Sequence, residues 1–191
     1  MIIDTLRTAT KKAHQDLDHY IFPIIRKIDD NEEYAKLLKV FFGYFKPVYN
    51  QLDKYLTDDN VQLYSSRRKP ERIIEDLTAL GMQEEGFLLC DSCPLIDTTA
   101  KAFGAFYVLE GSTMGGNIIV RNLMGQLKKA PPASFSFFSG YADQNLQMWN
   151  FFLTDLENNT QPAAVDELVH TASATFLTFA NWIKNNYESA D

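Results

Sequence analysis

Six residues near the middle of the chain, Gly111-Ser112-Thr113-Met114-Gly115-Gly116, put three glycines into a segment that has helical period on both sides. A glycine in a helix interior costs roughly 1 kcal/mol against alanine, so this stretch is expected to break or bend its helix. At 100° per residue Gly111 and Gly115 share one face, with Ser112 and Gly116 beside them. The result is a strip of backbone without side chains. Two readings stand at this level. One is close packing of another helix; the other is the approach of something flat to the backbone.

The rest of the chain shows helical period almost throughout and almost no strand alternation. Asp4 or Thr5 caps a first helix expected to run to about Phe22, where Pro23 interrupts it. Its apolar stripe is Leu6, Ala13, Leu17, Tyr20, Ile21 and Ile24. Asp29-Asp30-Asn31 signals the next start, and Tyr34, Leu37, Leu38, Phe41, Phe45, Val48 and Leu52 carry a second helix to about Leu56, with Pro47 as a kink. Arg67, Arg68 and Lys69 lead into a third, from Pro70 to Leu80, closed by Gly81. Residues 82–95 read as irregular. The glycine stretch lies in a helix from Ala100 to about Leu127, ended by Ala130-Pro131-Pro132. A loop over 134–138 precedes a sixth helix, Gly140 to Glu157. Ala163 to Tyr187 closes the chain, with Leu168, Ala172, Phe176, Phe179 and Ile183 at helical spacing. The expected fold class is all-α, a compact bundle of six to eight helices forming one domain over 1–191.

Composition narrows the function classes. With 14 Phe and 9 Tyr the chain has material for a large core. A net charge of −7 lacks the basic footprint of a nucleic-acid binder. No apolar run approaches the roughly 18 residues of a membrane span, and Met1 to Lys12 is too polar for a secretory signal. A cytoplasmic protein is expected. Cys90 and Cys93 form a single C-x-x-C pair followed by Pro94. One pair does not complete a four-thiolate zinc site, and they read as loop thiols in a reducing compartment.

Histidine is scarce: His14, His19 and His170 are the three. On the first helix Arg7, Lys11, His14 and Asp18 fall within an arc of roughly 60° beside the apolar stripe. A solvated face with an ion network is one reading. In the other, Asp18 accepts one ring N–H of His14 and leaves the second nitrogen free as a ligand, while Arg7 and Lys11 face an anionic group. A neutral histidine with a carboxylate behind it suits a haem iron, and a side-chain-free helix face suits a flat macrocycle with propionates.

At these residues the sequence resembles the haem oxygenase family, in its bacterial biliverdin-producing branch. The resemblance rests on Leu6-Arg7-Thr8-Ala9-Thr10-Lys11-Lys12-Ala13-His14, similar to the family's proximal-helix motif. It rests equally on Gly104-Ala105-Phe106-Tyr107-Val108-Leu109-Glu110-Gly111-Ser112-Thr113-Met114-Gly115-Gly116, similar to its glycine-kinked distal helix. The resemblance implies a haem held between these helices and cleaved to biliverdin, CO and Fe²⁺ with O₂ and external electrons. It makes His14 the iron ligand, Asp18 its orienting carboxylate, and Arg7 and Lys11 the propionate partners. Gly111, Ser112 and Gly115 become the catalytic distal residues, Gly116 keeps the backbone close to the haem, and Tyr107 is a pocket aromatic. It also implies an electron donor such as a ferredoxin, flavodoxin or reductase. Ser112 stands where mammalian members carry aspartate, so hydrogen bonding on the distal side falls to Ser112, backbone and water, with Asn117, Arg121 or Asn122 as helpers. Lys184 is the candidate for a remote propionate partner.

Two rivals share these observations. Glu167-Leu168-Val169-His170 and the looser Asp16-Leu17-Asp18-His19 have the Glu-x-x-His spacing of di-iron carboxylate oxidases. A haem carrier or sensor without turnover uses the same cleft without the chemistry.

Overall fold

The structure, a computed structural model, describes residues 1–83 and 86–187. Residues 84 and 85 of the expected irregular stretch, and the last four residues of the expected domain, lie outside the described residues. Among the described residues there are seven α-helices: α1 (Ile2–Lys27), α2 (Asn31–Leu52), α3 (Glu71–Ala79), α4 (Thr99–Gln126), α5 (Ser136–Ser139), α6 (Asn145–Asn159) and α7 (Val165–Tyr187). No strand occurs among the described residues. The apolar positions read from sequence in α2 and α7 are all buried, and they belong to one continuous core.

The expected stop at Pro23 needs correction. Helix α1 continues through Pro23 to Lys27. The proline removes one backbone bond, and burial of Ile24 and Ile25 just beyond it keeps the chain helical. In α2 Pro47 likewise sits inside the helix. Its missing N–H leaves the Gly43 carbonyl without its helical donor, and the Cys90 N–H takes that place at 2.8 Å. The segment carrying both cysteines is thereby strapped to α2, and Gln51 holds its far end through Pro94 O and Ile96 N. The expected loop at 134–138 is a short 3₁₀ turn followed by α5, and Asp76 caps that turn by accepting from Ser136 N, Ser136 Oγ and Phe137 N. Helix α6 starts at Asn145, five residues later than its sequence pattern.

Helix α4 runs unbroken through the glycine stretch. What the glycines change is how close neighbours come. At Gly104 a Cβ would lie 2.3 Å from the Leu168 carbonyl oxygen, so α4 and α7 cross backbone to backbone there. Helices α1 and α4 are pinned at two places. Near one end Tyr107 of α4 meets Thr10 and Arg7 of α1. Near the other, Gln126 Nε2 donates to Arg26 O at 2.8 Å. Both pins pair residues about one hundred apart in number, so the helices run parallel and His14 stands level with Met114 and Gly115.

Candidate haem cleft

Between the two pins the facing surfaces of α1 and α4 are open. His14 and Asp18 have side chains 61% and 46% exposed. The His14 ring stacks on Phe176 of α7, with centroids 5.3 Å apart and planes 27° from parallel. Its Nε2 lies 3.6 Å from Asp18 Oδ2, which leaves Nδ1 directed elsewhere. On α4 the face that carries Tyr107 continues by helical period through Gly111, Met114, Gly115 and Ile118. Met114 and Ile118 are exposed, as is Leu177 next to Phe176. Nothing lies within 4 Å of a Cβ built on Gly115. The cleft therefore has a histidine on one wall, bare backbone on the other, and an apolar rim. Arg7 and Lys11 continue the His14 face toward the Tyr107 pin.

Tyr107 is half-buried, and burial raises its hydroxyl pKa; Thr10 and Arg7 beside the hydroxyl partly offset this. Its ring packs on Trp149 at 5.4 Å. The same indole lies 3.5 Å from a Cβ built on Gly111, so Gly111 faces an aromatic wall. Gly116 is different and corrects one expectation. Its missing side chain is filled by α5: a Cβ there would fall on the Phe138 carbonyl oxygen. Gly116 belongs to the packing of α4 on α5, on the side away from the cleft.

Ser112 is half-buried and its hydroxyl has two protein partners, which leaves one lone pair on Oγ. Its Oγ accepts from Arg68 Nη2 at 2.8 Å and donates to Leu109 O at 2.6 Å. Arg68 also donates to Leu109 O, and its guanidinium lies 4.4 Å from the Phe137 ring centroid and 5.3 Å from that of Phe45. Beside it Arg67 Nη1 pairs with Glu110 Oε1 at 2.5 Å, both side chains fully buried. Tyr141 donates to Glu110 Oε2 and accepts from Arg68 N. Directly behind the glycine stretch Arg67 thus pairs with the buried Glu110 carboxylate, Tyr141 links that carboxylate to the Arg68 backbone, and Arg68 Nε has no partner. Sequence reading missed this network. The run Arg67-Arg68-Lys69 looks like a solvated lead-in to a helix, and Glu110 and Tyr141 lie more than forty residues further along the chain.

The other candidates stay apart from the cleft network. Asn122 donates to Ile118 O within its own helix, and Asn117, Arg121 and Lys184 are exposed. Glu167 accepts from Thr98 Oγ1 and lies near Lys101, while His170 and His19 are exposed. Among the described residues no three His, Cys, Asp or Glu side chains gather as a metal site. The donor set here is a lone histidine with a carboxylate behind it. That suits an iron already carried by a macrocycle, and it does not assemble the six-ligand shell of a di-iron centre. Bare backbone at Gly115, the apolar rim and the cations at Arg7 and Lys11 fit the same group.

The all-helical fold thus sets one histidine opposite bare backbone in a cleft open between two helices. No family model matches the chain. A curated relative, a haem oxygenase of Xanthomonas campestris pv. campestris (strain 8004), is 28% identical over 152 residues, covering 78% of this chain and 88% of the relative. The NO- and CO-bound haem oxygenase of Neisseria meningitidis superposes with a TM-score of 0.75 at 20% identity, over 100% of this chain and 94% of that one. In sequence and in fold the chain is similar to these haem oxygenases.

Proposed function

We propose that this protein is a haem oxygenase of the biliverdin-producing kind, acting as a single domain over residues 1–191. The observation that supports it most is the pairing of His14 with the open backbone of Gly115 across two parallel helices pinned at both ends. Haem, when bound, supplies an iron that activates O₂ and a porphyrin ring that is itself opened to biliverdin, with release of CO and Fe²⁺.

The chain's residues supply position and hydrogen bonding. His14 ligates the iron through one ring nitrogen. Asp18 accepts from the other, fixes the tautomer and raises the basicity of the ligand. Phe176 holds the ring plane by stacking, so rotation of the imidazole is restricted before haem arrives. Arg7 and Lys11 meet the propionates, and Arg7 is steadied by Tyr107. Gly111 and Gly115 let the macrocycle approach the backbone. Ser112, oriented by Arg68, offers its oxygen to water on the distal side, and the surrounding backbone completes that water's hydrogen bonds. Arg68 sets the direction of the hydroxyl by donating to it, an orientation a free serine rotor lacks.

Electrons come from an external donor of the ferredoxin, flavodoxin or reductase type. A cytoplasmic setting agrees with the free thiols Cys90 and Cys93. No helix among the described residues is long and apolar enough to cross a membrane.

The test is haem turnover. Purified protein with one equivalent of haemin should give a Soret band that bleaches to a biliverdin spectrum on addition of reductant and O₂, and chromatography of the product identifies the meso carbon cleaved. A stable Soret band under those conditions would leave a carrier or sensor. No binding of haemin at micromolar concentration would overturn the reading altogether.

A further inference from the structure

A second cavity, of about 490 Å³, opens away from the cleft. None of its lining residues belongs to α1, α4 or α7, so it is not an extension of the haem site. One wall is the turn before α3, with Leu63 and Ser66, and the first turn of α3, with Arg72; the other is the turn from α5 to α6, with Tyr141 and Gln144. No carboxylate lines it, although the whole chain carries a net charge of −7. Arg72 is its one charged lining residue. The guanidinium donates to Gly140 O at 2.6 Å and so bridges the two walls. It forms no ion pair among the described residues, which leaves most of its five donors for a ligand.

Backbone conformation marks the same place. Among the described residues two non-glycine residues have positive φ, Leu63 at 59° and Ala142 at 55°. Both line this cavity, one on each wall. Left-handed backbone at residues with a Cβ is costly and gathers at ligand clamps. The size falls in the range of small-molecule sites, and Leu63, Met148 and the Tyr141 ring give it an apolar side.

We propose that this cavity binds a small organic oxyanion, its carboxylate or phosphate on Arg72 with Ser66 and Gln144 alongside, its apolar body against Leu63, Tyr141 and Met148. The site is independent of the haem cleft, and the proposal stands whether or not haem turnover is observed.

Titration calorimetry with phenyl phosphate and with benzoate, against inorganic phosphate, tests it on the full chain. Saturable binding of one of the two aromatic probes, tighter than inorganic phosphate, is expected; which of them binds tighter distinguishes a phosphate from a carboxylate headgroup. Arg72→Gln should weaken it about tenfold or more, as loss of a charged hydrogen-bond donor does. Should Arg72→Gln fail to fold, Gln144→Trp, at an exposed position on the rim, should block the cavity and give the same loss. Binding should be unchanged after loading with haemin. No heat from either probe at 10 mM, binding indifferent to both variants, or displacement by haemin would each overturn the proposal.

Discussion

Helix α4 has two glycine-bearing faces that the sequence makes look alike and the structure makes opposite. The face toward α5 is closed. Gly116 lies against the Phe138 carbonyl, Thr113 and Glu110 are fully buried, and the Arg67–Glu110 pair sits beneath. The face toward α1 is open at Gly115 and rimmed by exposed Met114 and Ile118. The closed face fixes where the helix lies and how Ser112 is oriented. The open face stays free because nothing of the chain itself fills it. One helix can therefore be rigid and receptive at once, provided each job keeps to its own side.

Substitutions should separate the two faces, and the largest effects belong to the closed one. Glu110→Ala leaves the buried Arg67 guanidinium without its counter-charge and the Tyr141 hydroxyl without its acceptor, and should cost about 3–5 kcal/mol in urea unfolding. Gly116→Val should cost roughly 3 kcal/mol by the same measurement, since the obstructing atom is a backbone oxygen that cannot swing aside. Ser112→Ala removes an acceptor from Arg68, and should cost about 1–2 kcal/mol while also altering haem turnover. On the open face the sign reverses: Gly115→Ala should stabilise the haem-free protein by about 0.5–1 kcal/mol through helix propensity, yet weaken haemin binding in a spectroscopic titration. His14→Ala should change stability least, within about 0.5 kcal/mol for an exposed side chain, and abolish the axial-histidine signature in the haem complex. Similar stability losses at Gly115 and Gly116 would remove the distinction between the faces.

The helices were legible because their apolar residues recur with helical period. In α2 the stripe from Tyr34 to Leu52 is buried throughout. Pro23 was less so, because a proline's cost is local while the burial that outweighs it comes from other helices. The α1 wall of the cleft was readable because Arg7, Lys11, His14 and Asp18 share one helix and hence one geometry. The polar network was not, because Arg68, the Glu110–Ser112 turn and Tyr141 come from three places in the chain and none is unusual alone. The difference between Gly115 and Gly116 was also out of reach: adjacent identical residues differ only by 100° of rotation and by what stands there.

The two pins between α1 and α4 are unequal, and this gives the cleft a direction. Tyr107 is a half-buried ring wedged against Trp149 with Thr10 and Arg7 at its hydroxyl. The Gln126–Arg26 contact is a single exposed hydrogen bond, worth about 0.5–1.5 kcal/mol net, or one to three times thermal energy. Thermal motion breaks the second far more often than the first. Opening of the α1–α4 gap, hinged at the Tyr107 end, would therefore cost least at the yielding Gln126 end. A rigid, flat guest would enter and leave by the yielding end, with its anionic edge leading inward to Lys11 and Arg7 beside the hinge.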